Sequence, residues 1–363
     1  MQVIQFLNDC NITSGSTKDL DFKGKEFYIV SDSLLSKLQI IVGHNLGVII
    51  PFKEIYNEYK GQDLNNRKLL ALRHGGGGDI LFMTTGLAEL KRKYPKSSLN
   101  IAISPAYLSI PENNPNIDQV LSLPISLTEW NKYHYHIIFE NLIENNPQAS
   151  EYNAYDLFML KMGLDIKTVP PENKIPKLYI TDEEKNSQLD RFFRTPMGKK
   201  SVGIQAEASS PIRKYLPYNF IEVGKALIKK GFDVYFFGSQ MQENTIGYLV
   251  SQCGEGSHAV IEDMRTALVI ASFMDYFIAP DSLFIHVAGA FEIPCIGLYG
   301  PFPSDLRMQY FKRSIGINAK TACSPCFKHS HHPCDKGEPS PCMRLISPDI
   351  VLKAFDELIN TNS

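Results

Sequence analysis

The amino-acid sequence predicts an α/β protein built from two Rossmann-like domains. Two series of short apolar strands alternate with helical patterns, one from Lys68 to Ile103 and one from Ser201 to Tyr299. Prolines and charges concentrate between residues 165 and 185, where we place the junction. Strand, turn, helix and strand in succession favour a parallel sheet, and ligands of such sheets bind at the carboxyl ends of the strands. We therefore expect two sheets that face a cleft.

The first 66 residues have a different pattern. Phe27–Val30 and Gly47–Ile50 are short apolar runs of the kind found in small strands. We predict that residues 1–66 form a β-rich N-terminal extension.

The first Rossmann-like domain is predicted over residues 67–180. Its first strand spans 68–73 and is followed by a glycine-rich turn at 74–78. An apolar-periodic helix is expected from 79 to 94, and the next strand from 99 to 103.

The second domain is predicted over residues 181–346, followed by a C-terminal helix at 347–363. Its expected elements alternate in the same way: strand 201–205, helix 218–230, strand 232–237, helix 264–273, strand 276–279, helix 282–290 and strand 294–299. The sequence contains no visible internal repeat of short period.

The composition excludes several classes of protein. Of the 363 residues, 44% are hydrophobic and 21% are charged, as in a soluble globular protein. A net charge of −2 gives no basic excess for binding nucleic acid, so we expect no such partner. The N-terminus lacks the features of a signal peptide, and no apolar run is long enough to span a bilayer. We expect a cytoplasmic protein, and a peripheral contact with a membrane stays open.

The glycine-rich turn ends at Asp79, the first candidate site residue. The turn lacks the spacing of a dinucleotide fingerprint, and no Gly-Lys-Ser/Thr follows to make a P-loop. A carboxylate at a ligand-binding edge can accept a proton from an attacking hydroxyl. The alternative is that Asp79 only caps the helix.

A second candidate segment follows the strand 201–205. Ser209, Ser210 and Lys214 bring two hydroxyls and a compact cation to the carboxyl end of that strand, a set that suits a diphosphate. The alternative is a solvated basic turn.

A third segment follows the strand 276–279. Asp281 or Ser282 is expected to cap the next helix, whose N-terminus attracts phosphate. His286 lies one turn further on the same face, either as a site residue or as a packed core histidine.

Four cysteines lie close together near the C-terminus: Cys323, Cys326, Cys334 and Cys342. His329, His331 and His332 stand between them. Four thiolates suit a tetrahedral structural Zn or Fe site, and the alternative is a set of reduced, packed cysteines.

Taken together and in this order, these segments resemble glycosyltransferase family 9, the ADP-heptose:lipopolysaccharide heptosyltransferases, which have the GT-B fold. The resemblance covers Lys68 to the C-terminus. Arg73 to Asp79 is similar to the family's R-x-G-x-x-G-D start, and Asp281 to His286, with Tyr299-Gly300-Pro301, is similar to its D-T-G-x-x-H and (F/Y)-G-P signatures.

The resemblance implies an inverting transfer of a sugar, a heptose, from a nucleotide-diphosphate sugar such as ADP-heptose, without a catalytic metal. Asp79 would be the general base. The donor would be bound by the following residues: Gly77, Gly78, Ser209, Ser210, Lys214, Asp281, Ser282, Leu283 and His286. The acid that binds the nucleoside would be Glu243, or the position would fall on Gln242. Leu283 stands where the family usually has glycine.

The N-terminal extension and the clustered cysteines are similar to the autotransporter heptosyltransferases. Those enzymes modify protein and hold iron with four cysteines. The implied acceptor is therefore a glycan, a lipopolysaccharide or a protein. Two other functions stay open on the same frame: a nucleotide-sugar epimerase or hydrolase, and a non-catalytic carbohydrate-binding scaffold.

Overall fold

The computed structural model describes residues 1–14, 17–144, 146–192, 199–328 and 333–360. The chain divides into two units. Unit 1 comprises Met1–Leu142 and Phe158–Val169, and unit 2 comprises Ile143–Leu157 and Pro170–Ser363. Within the described residues, no helix combines the length and the apolarity needed to cross a membrane.

The described residues of unit 1 form these strands: β1 (Gln2–Phe6), β2 (Cys10–Ser14), β3 (Thr17–Phe22), β4 (Phe27–Val30), β5 (Leu46–Pro51), β6 (Lys68–Arg73), β7 (Ser98–Ile103), β8 (Gln119–Ser122), β9 (Ile125–Ser126) and β10 (Tyr135–Ile138). Its helices are α1 (Asp32–Val42), α2 (Gly77–Lys93) and α3 (Leu127–Trp130). Helix α4 (Ala154–Lys161) begins in unit 2 and ends in unit 1.

Unit 1 contains two four-stranded sheets and a two-stranded antiparallel sheet of β2 and β3. The two larger sheets organise the unit. One has the order β10-β6-β7-β8 and is parallel throughout. The other has the order β5-β1-β4-β9 and is antiparallel. The parallel sheet is buried on strands β6 and β7, whose apolar runs explain why both were predicted from sequence.

The residues predicted as an extension share a hydrophobic core with the parallel sheet. Val3 and Ile29 from strands β1 and β4 belong to the same buried cluster as Leu70 and Trp130. Phe52 also joins this cluster and meets the Trp130 ring edge-on, with centroids 5.2 Å apart. Residues 1–66 therefore pack as part of unit 1.

The strands and helices of unit 2 are α5 (Asp182–Phe192), β11 (Ser201–Gln205), α6 (Pro217–Lys229), β12 (Asp233–Gly238), α7 (Glu243–Cys253), β13 (Ser257–Ile261), α8 (Met264–Ala271), β14 (Tyr276–Pro280), α9 (Leu283–Ala290), β15 (Cys295–Tyr299), α10 (Asp305–Met308), β16 (Ser314–Asn318), α11 (Pro341–Arg344) and α12 (Pro348–Asn360). The strands form one sheet in the order β13-β12-β11-β14-β15-β16. Every pair in it is parallel.

The predicted α/β class with two Rossmann-like sheets is confirmed. Strands β6 and β11 have the predicted bounds, and helix α2 begins two residues earlier than predicted, at Gly77. Strands β8, β10, β13 and β16 were not predicted. Because the segments after β12, β11 and β14 follow neighbouring parallel strands, they lie at one edge of the unit 2 sheet.

Candidate active site

Asp79 lies beside Arg73 at the carboxyl edge of the unit 1 sheet. Arg73 ends strand β6, and Asp79 is the third residue of helix α2. The Arg73 Nη2 donates to Asp79 Oδ2 over 2.8 Å. The N-cap position is Gly76, which has no side chain, so the alternative that Asp79 is the helix cap is wrong.

Gly75 makes room for this ion pair. A Cβ at Gly75 would lie 2.2 Å from Arg73 Nε and 2.5 Å from Asp79 Oδ2, too close for any side chain. The glycine therefore lets the backbone pass directly over the paired charges.

Arg73 is itself held in one orientation. Its side chain is only 2% exposed, and its Nη1 donates to the Phe139 carbonyl oxygen over 2.7 Å. The Glu140 carboxylate lies 3.9 Å from the same nitrogen. A buried guanidinium fixed at both ends gives Asp79 a defined position.

His74 and Glu140 form a second pair at this edge. The His74 backbone N–H donates to Glu140 Oε1 over 2.6 Å, and the ring Nδ1 lies 3.0 Å from the same oxygen. Burial alone would raise the pKa of Glu140, but the hydrogen bonds and charge of His74 and the charge of Arg73 lower it. Sequence reasoning missed Glu140 because it lies 66 residues from His74 and follows a strand that was not predicted.

Tyr107 is a third residue that the sequence did not single out. Burial, and after it the charge of Asp79, raise the pKa of its hydroxyl. The phenol is therefore close enough to the carboxylate to sense its charge, and it stays protonated.

In unit 2, the start of helix α9 is held by Gln205, the last residue of strand β11. The Gln205 Nε2 donates to Ser282 Oγ over 3.2 Å, and its Oε1 accepts from the Phe284 N–H over 3.0 Å. Ser282 occupies the N-cap position, as one of the two predicted caps, but its hydroxyl makes no cap hydrogen bond. Leu283, the first helical residue, is half-buried.

Asp281 lies between two arginines. Its Oδ2 is 3.7 Å from Arg213 Nη1 and its Oδ1 is 3.7 Å from Arg307 Nε. Arg213 also donates to the Asp281 carbonyl oxygen over 2.6 Å and to Ser209 Oγ over 3.0 Å. Ser209 and Asp281, both predicted site residues, are thus joined through Arg213.

Ser210 and Lys214 differ in their surroundings. Ser210 is buried, and its hydroxyl has no hydrogen-bond partner among the described residues. Lys214 is 45% exposed and forms an ion pair of 2.7 Å with Glu207.

His286 is buried and lies 2.9 Å, through Nδ1, from the Tyr155 hydroxyl. Burial lowers the pKa of His286 to about 3, against the opposing charge of Asp281. The imidazole is therefore neutral at physiological pH and is packed in the interior of unit 2.

Glu243 and the two glycines complete the predicted set. Glu243 is the first residue of helix α7, is exposed, and accepts from Gln240 Nε2 over 2.7 Å. Gln242 is instead engaged in a capping box with Ser239. Gly77, which is buried, and Gly78 open helix α2.

The model of glycosyltransferase family 9 (heptosyltransferase) matches residues 152–334, half of the chain, including the second and third candidate segments. This chain belongs to glycosyltransferase family 9.

Curated relatives of this family 9 chain cover part of its length. Lipopolysaccharide heptosyltransferase 2 of Salmonella typhimurium is 24% identical over 159 residues, which are 42% of this chain and 44% of that protein. The Escherichia coli enzyme of the same name is 23% identical over 159 residues, which are again 42% of this chain and 44% of that protein. The chain thus matches less than half of the length of these relatives.

Solved structures share the fold over a longer span. E. coli ADP-heptose lipopolysaccharide heptosyltransferase II has a TM-score of 0.63 at 14% identity and covers 81% of this chain and 99% of its own. A family 9 glycosyltransferase from Veillonella parvula has a TM-score of 0.65 at 17% identity and covers 83% and 99%. The dodecameric iron-containing heptosyltransferase TibC of E. coli, in complex with ADP-D-β-D-heptose, has a TM-score of 0.60 at 13% identity and covers 100% and 92%. Because the sequence identities are this low, the likeness to these structures shows the fold alone.

The four cysteines of this family 9 chain differ in environment. Cys323 and Cys326 are exposed, Cys334 is half-buried, and Cys342 is buried on helix α11. Burial raises the pKa of the Cys342 thiol. Among the described residues, no three His, Cys, Asp or Glu side chains converge as a metal site would require.

The predicted four-cysteine metal site is therefore not assembled in this arrangement. Cys342 packs into the core of unit 2, and Cys323 and Cys326 are exposed. The charges of Cys326 and Cys334 nevertheless also raise the pKa of Cys342, so both lie within electrostatic range of it. His329, His331 and His332 lie outside the described residues.

A cavity of 360 Å³ in unit 1 lies away from the candidate site. It is lined by Lys68, Ser98, Asn100, Asp118, Gln119, Glu129, Lys132 and Tyr133. Lys68 and Ser98 are the first residues of strands β6 and β7, so the cavity is at the amino-terminal edge of the sheet. Asp79 follows the carboxyl end of β6, and the cavity is not part of its surroundings.

Proposed function

We propose that this protein is a glycosyltransferase that moves a heptose from ADP-heptose to an acceptor hydroxyl with inversion at the anomeric carbon. Membership of family 9 supports the transfer, and the relatives named lipopolysaccharide heptosyltransferase 2 support the sugar. The observation that carries the proposal is Asp79, held by a buried arginine at the carboxyl edge of a parallel sheet.

In the proposed reaction Asp79 acts as general base. Its carboxylate accepts the proton of the acceptor hydroxyl while the hydroxyl oxygen forms a bond to the anomeric carbon. The bond between that carbon and the diphosphate oxygen breaks at the same time, and ADP leaves with the bonding electrons. One displacement from the opposite face inverts the configuration, and Asp79 then returns the proton to water.

Unit 2 supplies the proposed donor site. The departing diphosphate gains negative charge, which the N–H groups at the start of helix α9 and nearby cations stabilise. We assign this role to Lys214, to the hydroxyls of Ser209 and Ser210, and to the helix start at Ser282. Asp281, Leu283 and His286 are proposed as further donor-binding residues. Glu243 would bind the nucleoside, and Gly77 and Gly78 are proposed as further donor-binding residues.

The acceptor is proposed to be a lipopolysaccharide, another glycan or a protein. The solved TibC structure is an iron-containing heptosyltransferase, and the curated relatives are named for lipopolysaccharide. We propose action in the cytoplasm, where nucleotide sugars are available.

The test is ADP release from ADP-heptose by the purified protein, with and without heptose-free lipopolysaccharide core or an unmodified autotransporter fragment. The proposal expects release that depends on acceptor, together with a heptosylated product of inverted configuration. Equal donor consumption without acceptor would indicate a hydrolase or epimerase instead. No binding of any nucleotide sugar, measured by calorimetry, would favour a non-catalytic scaffold.

A further inference from the structure

Arg213, Arg307 and Asp281 form a cluster of charges next to helix α9. Arg213 and Arg307 both approach the single carboxylate of Asp281, each at 3.7 Å. The facing His286 is neutral because burial lowers its pKa to about 3, and burial raises the pKa of Tyr155 well above its ordinary value. Tyr299 faces the same groups, and it stays protonated because burial also raises the pKa of its hydroxyl. The set thus sums to one positive charge at neutral pH.

The two arginines are placed differently. Arg307 is 4% exposed, donates to the Leu306 carbonyl oxygen and lies over the Phe302 ring at 4.5 Å. Arg213 is 19% exposed and spans from Ser209 to the Asp281 carbonyl oxygen at the end of strand β14. Arg307 is therefore a buried support for Asp281, whereas the Arg213 guanidinium is at the edge where a ligand would bind.

Lys214 is adjacent to Arg213 in sequence, but its charge is differently balanced. Its ammonium pairs with Glu207 at 2.7 Å, so a carboxylate from the same segment already balances its charge. The partly buried Arg213 guanidinium shares the Asp281 carboxylate with Arg307, so these three groups keep an excess of positive charge. Burying such charge is costly unless an anion joins it. The N-terminus of helix α9 adds to the same field.

We propose that Arg213, more than Lys214, binds the diphosphate of the donor and determines the affinity for it. This inference rests on the proposed function, which supplies a nucleoside diphosphate sugar as the ligand. Hydrogen bonds to Ser209 Oγ and to the Asp281 carbonyl oxygen fix the orientation of the planar Arg213 guanidinium. Its remaining N–H groups therefore have fixed directions in which they can donate to a diphosphate.

Calorimetry with ADP and with adenosine tests this assignment, because the two ligands differ only in the diphosphate. For Arg213→Gln we expect ADP affinity to fall about 10- to 100-fold, as for a lost charge-assisted hydrogen bond, with adenosine affinity within about 3-fold of wild type. Arg213→Lys should fall between wild type and Arg213→Gln, because the charge stays and the fork is lost. Lys214→Gln should weaken ADP by less than Arg213→Gln.

Arg265→Gln is the matched control. Arg265 also pairs with a carboxylate, Glu184, and donates to a backbone carbonyl, that of Tyr179, but these partners lie outside the second and third candidate segments. Its ADP affinity should stay within about 3-fold of wild type, a change far below that of a lost charged contact. Thermal unfolding of each variant identifies any that fail to fold, in which case Arg213→Lys carries the test.

Three results would overturn the inference: an Arg213→Gln protein that binds ADP as wild type does, one that loses ADP and adenosine by the same factor, or a larger ADP loss in Lys214→Gln. Wild-type protein that binds neither ADP nor any other nucleoside diphosphate would instead overturn the proposed function, and this inference with it.

Discussion

Arg73 and Gly75 together determine where the Asp79 carboxylate can be. The guanidinium contacts Asp79 on one side and the Phe139 carbonyl on the other, and the glycine leaves no side chain between backbone and ion pair. This arrangement is costly to maintain, since a buried cation must be matched by partners. It orients the carboxylate before any substrate arrives, which is what a general base requires.

At the same scale, His286 predicts how stability depends on pH. The pKa of His286 is about 3 in the folded protein and about 6.5 when unfolded. As pH falls below the unfolded value, the unfolded chain binds a proton that the folded chain does not, so the free energy of unfolding falls. Between pH 7.5 and 5.5 this group alone contributes a loss of about 1.4 kcal/mol.

His286→Asn removes the titrating ring and keeps a polar group for Tyr155. Urea denaturation at the two pH values should show that the variant loses about 1.4 kcal/mol less than wild type on acidification. The same loss in both proteins would mean that His286 is not buried as a neutral ring.

At the scale of elements, helix α4 is anchored in unit 2 by a buried polar network. The Lys174 Nζ pairs with Asp156 Oδ1 at 2.8 Å, and the Tyr310 hydroxyl donates to Asp156 Oδ2 over 2.5 Å. Both charged side chains are less than 10% exposed. The first turn of helix α4 is further held by Asn153, whose Nδ2 donates to the Asp305 carbonyl oxygen.

Lys174→Met should therefore lower the free energy of unfolding by about 3–5 kcal/mol, because it leaves Asp156 buried without a cation. The double variant Lys174→Met, Asp156→Leu removes both charges and should recover a large part of that loss. Chemical denaturation of the three proteins measures this. A double variant less stable than the single one would contradict the account.

The elements also show what the sequence could predict. Strands β6 and β11 were placed correctly because each is an apolar run that ends at a turn. Strand β16 is an edge strand with an internal glycine, and β10 contains His136, whose ring stacks on Trp130 at 3.7 Å. Such strands form through tertiary contacts that a local pattern does not record.

The same limit applies to the site. Motifs identified Asp79, Ser209 and Asp281 as single positions, but Arg213 meets Asp281 across 68 residues of sequence. Spacing along the chain carries no information about which side chains pair after folding. The partners of the predicted residues could be found only from the structure.

At the scale of the whole molecule, the N-terminal residues are part of the unit 1 core. Phe52 contacts Trp130, the single tryptophan of the chain. Phe22 belongs to a separate cluster with Phe6 and Tyr28.

Phe52→Ala should shift the fluorescence emission of Trp130 to longer wavelength, because it removes a covering ring. Phe22→Ala, the matched control, should leave that emission unchanged, although each substitution lowers the free energy of unfolding by about 3–5 kcal/mol. An unshifted spectrum in Phe52→Ala would mean that the N-terminal residues do not cover the core of the parallel sheet.

The central claim is that Asp79 accepts the proton of the acceptor hydroxyl. The most direct measurement is the rate of heptosyl transfer by Asp79→Asn, beside the affinity of the same protein for ADP. Asp118→Asn is the control, since Asp118 also accepts a hydrogen bond from a cation, Lys91, but at the other end of the sheet. The account predicts a rate lowered about 10²–10⁴-fold in Asp79→Asn, with ADP affinity nearly unchanged and the control close to wild type. A rate for Asp79→Asn within a few-fold of wild type would contradict it.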